Sequence, residues 1–146
     1  MANDEICVFC GEKPNKFRST TIQCGNTWQP ACKTCEKEVR DLPEVELCQQ
    51  ALIRGLANEP DRLKARIALI TEAENHRPTC LRCGGKLIFE EVQELDNSPH
   101  RDSILSEPFV VLPAYCTNCG RYEIFKPEII RSNKHLAYLS WKDSQG

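Results

Sequence analysis

Four Cys-x-x-Cys pairs constrain this chain more than any other feature: Cys7/Cys10, Cys32/Cys35, Cys80/Cys83 and Cys116/Cys119. Each pair offers two thiolates from one tight turn, and tetrahedral zinc takes four, so two sites built from two pairs each is the economical solution. Sequential pairing gives one site from Cys7, Cys10, Cys32 and Cys35, and another from Cys80, Cys83, Cys116 and Cys119. A cross-braced arrangement joining the first and third pairs would have to close a loop over the 44 residues between Cys35 and Cys80 and is disfavoured on entropy. Four thiolates fill the tetrahedron, whereas catalytic zinc keeps a position open, so two structural zinc ions are expected. Iron accepts the same donor set, and spacing alone does not separate the two metals.

The chain has 146 residues, ten cysteines and 27% charged residues, which suits small metal-stapled modules better than one large core. The N-terminus Met1-Ala2-Asn3-Asp4-Glu5 lacks a basic region and an apolar signal core, so thiols in a reducing cytoplasm are expected rather than disulfides. No apolar run approaches the roughly 20 residues of a membrane span, and no membrane partner is expected. The formal net charge is −2. A zinc ion with four thiolates carries a net negative charge, and two such sites bring the folded protein to about −6, which disfavours non-specific nucleic-acid binding but leaves room for a local basic face.

Residues 1–40 open on Cys7-Val8-Phe9-Cys10-Gly11, a ligand half-site whose glycine suits a metal knuckle. A β-rich run from Phe17 to Gln23, a turn at Cys24-Gly25-Asn26 and a short return strand Thr27-Trp28-Gln29 predict a hairpin. Cys32 and Cys35 then lead into the helix formers Glu36-Lys37-Glu38-Val39-Arg40. Knuckle, hairpin and a second ligand pair in the first turn of a helix resemble a treble-clef zinc finger. More loosely, this half resembles the cysteine-paired zinc modules of bacterial protease and kinase adaptors. Cys24 is either a core thiol, a substitute ligand or the chain's most reactive thiol, and Cys48 is expected to pack in a core.

Residues 41–78 predict a helical hairpin: Val45, Cys48, Leu52, Gly55 and Leu56 share one face after Pro43, and Leu63, Ile67, Ile70 and Ala73 share another after Pro60. These stripes are expected to pack on each other and on a zinc module rather than to form a groove for a partner helix.

Residues 79–125 hold two Cys-x-x-Cys-Gly knuckles, each followed by a β-rich run: Lys86–Val92 after the first and Tyr122–Phe125 after the second, with Phe109–Tyr115 leading in. This resembles a zinc ribbon, as found in small bacterial zinc-ribbon proteins. The 32 residues between Cys83 and Cys116 exceed a minimal ribbon, so 94–107, which includes Pro99, is expected to be an inserted loop. The expected whole is a small α+β zinc-stabilised protein.

Residues 126–146 turn basic and apolar together: Lys126, Arg131, Lys134 and Lys142 are interleaved with Ile129, Ile130, Leu136, Tyr138, Leu139 and Trp141. Two outcomes are open: a contact surface for a partner or a second copy of the chain, or a segment that folds back over the ribbon sheet. Phe17, Trp28, Phe109 and Tyr115 are expected to pack against the hairpins, although an aromatic on an open face can also stack on a nucleobase. His76, His100 and His135 are scattered as surface histidines without a catalytic motif. No catalytic residues are assigned. The function expected is that of a non-catalytic zinc-binding adaptor or regulator with a protein partner. The alternatives are a nucleic-acid-binding, transcription-related factor and a thiol-based redox sensor.

Overall fold

Strand β1 (Ser19–Cys24) runs antiparallel to β2 (Thr27–Cys32), in register from Ser19↔Cys32 to Cys24↔Thr27. These coordinates come from a computed structural model, which describes residues 5–95 and 109–146. Side chains alternate across a strand pair. Ile22, Cys24, Thr27, Gln29 and Ala31 therefore lie on the covered side, while Ser19, Thr21, Gln23 and Trp28 are exposed on the other. The strand expected from Phe17 starts at Ser19 instead, because residues 16–18 form a turn closed by Arg18 and Ser19 N–H groups on the Asn15 carbonyl. The return strand also continues past Gln29 to Cys32.

Helix α1 (Lys33–Val39) follows without a break, N-capped by Cys32, whose Sγ accepts the N–H of Cys35 at 3.4 Å. Helix α2 (Glu44–Leu52) begins after Pro43 and α3 (Pro60–Asn75) begins on Pro60. The face of α2 differs from the expected one: Leu47, Cys48 and Ala51 are buried, the helix stops at Leu52, and Gly55 lies beyond it at φ +67 with Leu56 exposed. A stripe counted through Gly55 assumed a helix longer than the backbone makes. Val8, Cys24, Leu47, Cys48, Ala51 and Leu63 form one core cluster, so the helices pack on the knuckle and hairpin. Gln29 is fully buried and bonds the Asn58 backbone twice, donating to its carbonyl at 2.8 Å and accepting its N–H at 2.8 Å. That satisfied amide pins the α2–α3 connection onto β2.

Four strands make the second sheet: β3 (Leu87–Phe89), β4 (Gln93–Leu95), β5 (Phe109–Cys116) and β6 (Tyr122–Phe125). β5 pairs with all three others, antiparallel. Between Phe89↔Ala114 and Gln93↔Val111 the register slips by one, so that the three residues 90–92 face only Leu112 and Pro113. β3 and β4 are thus one strand broken by a bulge. Glu94 and Leu95, expected in a loop, are therefore strand residues. Residues 96–108, with Pro99 and His100, lie outside the described residues, as do Met1–Asp4.

The C-terminal segment forms α4 (Pro127–Ser132) and α5 (Lys134–Asp143), and these fold back, α4 onto β5 and α5 onto β3. Pro127, Ile130, Tyr138 and Leu139 are buried, as are Leu87, Phe89, Leu112 and Ala114 of the sheet. Of the two outcomes left open for 126–146, covering its own sheet is the one realised, because the inner face of a small sheet needs an apolar cover. Tyr138 is buried and Leu136 half-buried in this arrangement, while Trp141 stays 54% exposed. Arg77 and Asp143 also guard the outer edge of β3: Arg77 donates to the Leu87 carbonyl at 3.0 Å and Asp143 accepts the Phe89 N–H at 3.0 Å. Two side chains there do what a neighbouring strand would.

The chain divides into two compact units, Met1–Thr71 and Glu72–Gly146, with the division inside α3. The described residues make a small α+β protein with two sheets and five helices. None of those helices is long and apolar enough to cross a membrane.

Candidate metal centres

Three of the four cysteine turns are the same turn. The glycine after the second cysteine returns its N–H to the carbonyl of the first: Gly11 to Cys7 at 2.8 Å, Gly84 to Cys80 at 2.8 Å and Gly120 to Cys116 at 2.9 Å. The first cysteine in turn donates its N–H to Glu12, Gly85 or Arg121, each five residues on. These glycines sit at φ +78, +71 and +70, where a Cβ is disfavoured, which is why the Cys-x-x-Cys-Gly form repeats. The pair Cys32/Cys35 has no following glycine and uses the last residue of β2 and the first turn of α1 instead.

The turns bring the sulfurs together in sequence order. Cys7, Cys10, Cys32 and Cys35 form one cluster and Cys80, Cys83, Cys116 and Cys119 the other, with the Sγ atoms of each within 4.8 Å of one another. Separations of 4.0 Å for Cys10–Cys32, 3.7 Å for Cys80–Cys119 and 3.4 Å for Cys83–Cys116 exceed the about 2.05 Å of a disulfide. They bracket the edge of about 3.8 Å that four sulfurs take around one zinc ion at about 2.3 Å. Each cluster can hold a metal ion, and the donor set is compatible with two zinc ions.

The electrostatics call for a cation. Burial would raise the Cys7 thiol, yet backbone groups of Cys10, Cys32 and Phe9 outweigh it and bring it down to about 7. Cys83 is brought to about 6, first by the Gly85 backbone and then by the Cys116 and Cys119 sulfurs. Their neighbours go the other way: burial and then the Cys32 and Cys10 sulfurs push Cys35 up. Cys119, although the Arg121 backbone favours its thiolate, is pushed up to about 11 by Cys83. Crowded thiols resist becoming four thiolates together unless positive charge sits among them.

Several residues that support these sites gave no signal in the sequence. Arg54 donates from Nε to the Phe9 carbonyl at 2.8 Å and holds the first knuckle from 45 residues away. Glu123 accepts the Leu81 N–H at 2.9 Å and does the same for the third. Gly85 packs so closely that a Cβ there would meet the Cys116 Sγ at 2.8 Å and the Cys83 Sγ at 3.3 Å. Its adjacency to the Cys-x-x-Cys-Gly turn was the one available hint.

Cys24 and Cys48 belong to neither cluster. Both are fully buried, and Cys24 is pushed up to about 12 by burial and then by Cys48. Cys24 is therefore a core thiol, and its readings as a spare ligand or as the first thiol to react are withdrawn. Exposure instead singles out Cys83 and Cys119, whereas each first-site cysteine is buried or half-buried. Under mild oxidant the second site is expected to lose its metal before the first, with Cys24 and Cys48 unmodified in the native protein. Mass-spectrometric mapping of alkylated cysteines over time checks the order, and early labelling of Cys24 would contradict it.

Among the described residues no histidine joins either cluster. His76 and His135 stack on each other at 5.1 Å, and His76 is exposed. Three of the four aromatics expected to pack do not: Phe17 is 86% exposed, Trp28 62% and Phe109 49%, because a turn or an outward strand position carries each. Comparison of the chain with protein-family models, curated proteins and solved structures returned no match, so these sites are read from their own geometry.

Proposed function

We propose that this protein is a non-catalytic zinc-binding adaptor. In this reading a treble-clef-like module and a zinc-ribbon module, each held by one zinc ion in a reducing cytoplasm, present surfaces to a protein partner. The closed donor sets carry the proposal. Four sulfurs make up each site, and among the described residues no histidine or carboxylate joins them to hold substrate or activated water. The zinc ions would supply cross-links between distant turns, and the chain's own residues supply the surface. In the second unit that surface is the outer side of β6, where Tyr122 is 57% and Ile124 62% exposed, with Leu81 87% exposed on a knuckle. Large exposed apolar groups of this kind favour a protein interface.

The test is affinity purification of the intact metallated protein with nuclease present, alongside an Ile124→Ser, Leu81→Ser variant. A protein that co-purifies with the parent chain and is lost with the variant, both retaining metal, supports the adaptor. Recovery of nothing, or of the same proteins by both, would remove it.

A further inference from the structure

The first unit exposes one aromatic on the β1–β2 hairpin and another on the turn that leads into it. Phe17 stands at the tip of the 16–18 turn and Trp28 stands opposite Gln23. The exposed Ser19 and Thr21 lie between them. From Phe17 to the Gln23–Trp28 rung is six residues of mostly extended chain, about 20 Å.

Positive charge gathers at the Phe17 end. Lys16 and Arg18 flank the ring, and the Lys33 N–H donates to the Arg18 carbonyl at 2.9 Å, which brings the start of α1 alongside. A groove of about 400 Å³ is lined there by Arg18, Lys33, Thr34, Lys37 and Glu38. A second, of about 420 Å³, has Lys16, Ser19, Thr20 and Thr21 on its walls together with Glu5, Pro30 and Ala31. Among the described residues no carboxylate forms an ion pair with Lys16, Arg18, Lys33 or Lys37, whereas Arg62, Lys64 and Arg66 of α3 are each paired.

We infer that this face binds single-stranded nucleic acid, with phosphates along Lys16, Arg18, Lys33 and Lys37 and bases stacked on Phe17 and Trp28. An exposed ring with no apolar pocket beside it suits a base, because every base has a π-face. An acidic peptide would be drawn to the same cations, but peptides anchor through large apolar side chains buried in pockets, and the only apolar side chains lining these grooves are Pro30 and Ala31. The chain is acidic as a whole, so the attraction is local and binding is weak and salt-dependent.

Fluorescence anisotropy of the full metallated chain with labelled oligouridylate and oligothymidylate of about 12 nucleotides tests the assignment. Both should bind at low salt, with log K falling against log salt at a slope of about −2 to −3, as expected for three or four phosphates on a single strand. Phe17→Ala and Trp28→Ala should each weaken binding about tenfold. Both side chains are exposed, so metal content and circular dichroism should stay as they are. Arg18→Gln should flatten the salt slope by about 0.7. The uridylate and thymidylate arms separate RNA from DNA as the preferred strand. The inference fails if neither strand binds at low salt or if Phe17→Ala binds as the parent does. It also fails if a duplex of the same length binds equally, or if a polyglutamate peptide competes equally for the parent and Phe17→Ala proteins.

Discussion

Removing the metal from the reduced protein is expected to unfold it, and Cys35→Ser is expected to unfold the first unit alone. Structural zinc contributes on the order of 10–16 kcal/mol in finger-sized domains, more than a core of this size replaces. In the first unit two of the ligands are also buried core residues. Cys7, Ala31 and Cys35 form a buried cluster of their own, and Cys32 both ends β2 and caps α1. Losing the Cys35 sulfur breaks the metal site and leaves the hairpin–helix junction unsupported. Native mass spectrometry of Cys35→Ser should show one zinc ion retained, on the second unit, with part of the circular dichroism lost. Retention of two ions, or an unchanged spectrum, would mean that the fold does not depend on this site.

Asp143→Ala is expected to destabilise the second unit by about 3–5 kcal/mol, a large fraction of the stability of an ordinary domain. Asp143 and Arg77 have side chains only 6% and 5% exposed and are joined by bonds of 2.7 and 3.1 Å. Glu74 grips the same guanidinium at 2.9 and 3.1 Å and also takes Lys142 at 2.9 Å. Truncating Asp143 leaves a buried guanidinium with three of its five hydrogen bonds and the Phe89 N–H without its acceptor. Chemical denaturation of the metallated protein measures the loss, and a change below about 1 kcal/mol would show the pair to be as weak as a surface ion pair.

Glu74 gives this network a pH signature. Its bonds to Arg77, and after them Lys142, outweigh burial and hold its carboxyl down at about 2. Because the unfolded chain takes up this proton at higher pH than the folded one, the contribution is fully present above about pH 4.5 and lost as pH falls towards 2. Acid also displaces zinc from thiolates, so the readout is the stability difference between the parent protein and Glu74→Gln, which should shrink across that window.

How much was legible in the sequence follows from how local each cause is. The eight clustered cysteines could be read from spacing, because a Cys-x-x-Cys-Gly turn is set by neighbouring residues. The β1–β2 hairpin could be read for the same reason, though its start could not, since the residue 16–18 turn overrides the β-formers at Phe17 and Arg18. Register decides which aromatics face inward, and a shift of one residue reverses them, so Trp28 and Phe109 were misplaced. The bulge at residues 90–92 left no mark in a strand pattern that reads as continuous. The fold-back of α4 and α5 was one of two outcomes the apolar pattern allowed, and the pairing of Arg77 with Asp143 across 66 residues, which patterning cannot foresee, ties α5 down.

A zinc ion held by four sulfurs in each unit would be directly countable. Its most direct measurement is the metal content per chain of reduced, freshly purified protein, by elemental analysis together with native mass spectrometry. Two zinc ions per chain are predicted, falling to one in Cys35→Ser and in Cys116→Ser. One ion or none in the parent protein, or iron in place of zinc, would contradict it.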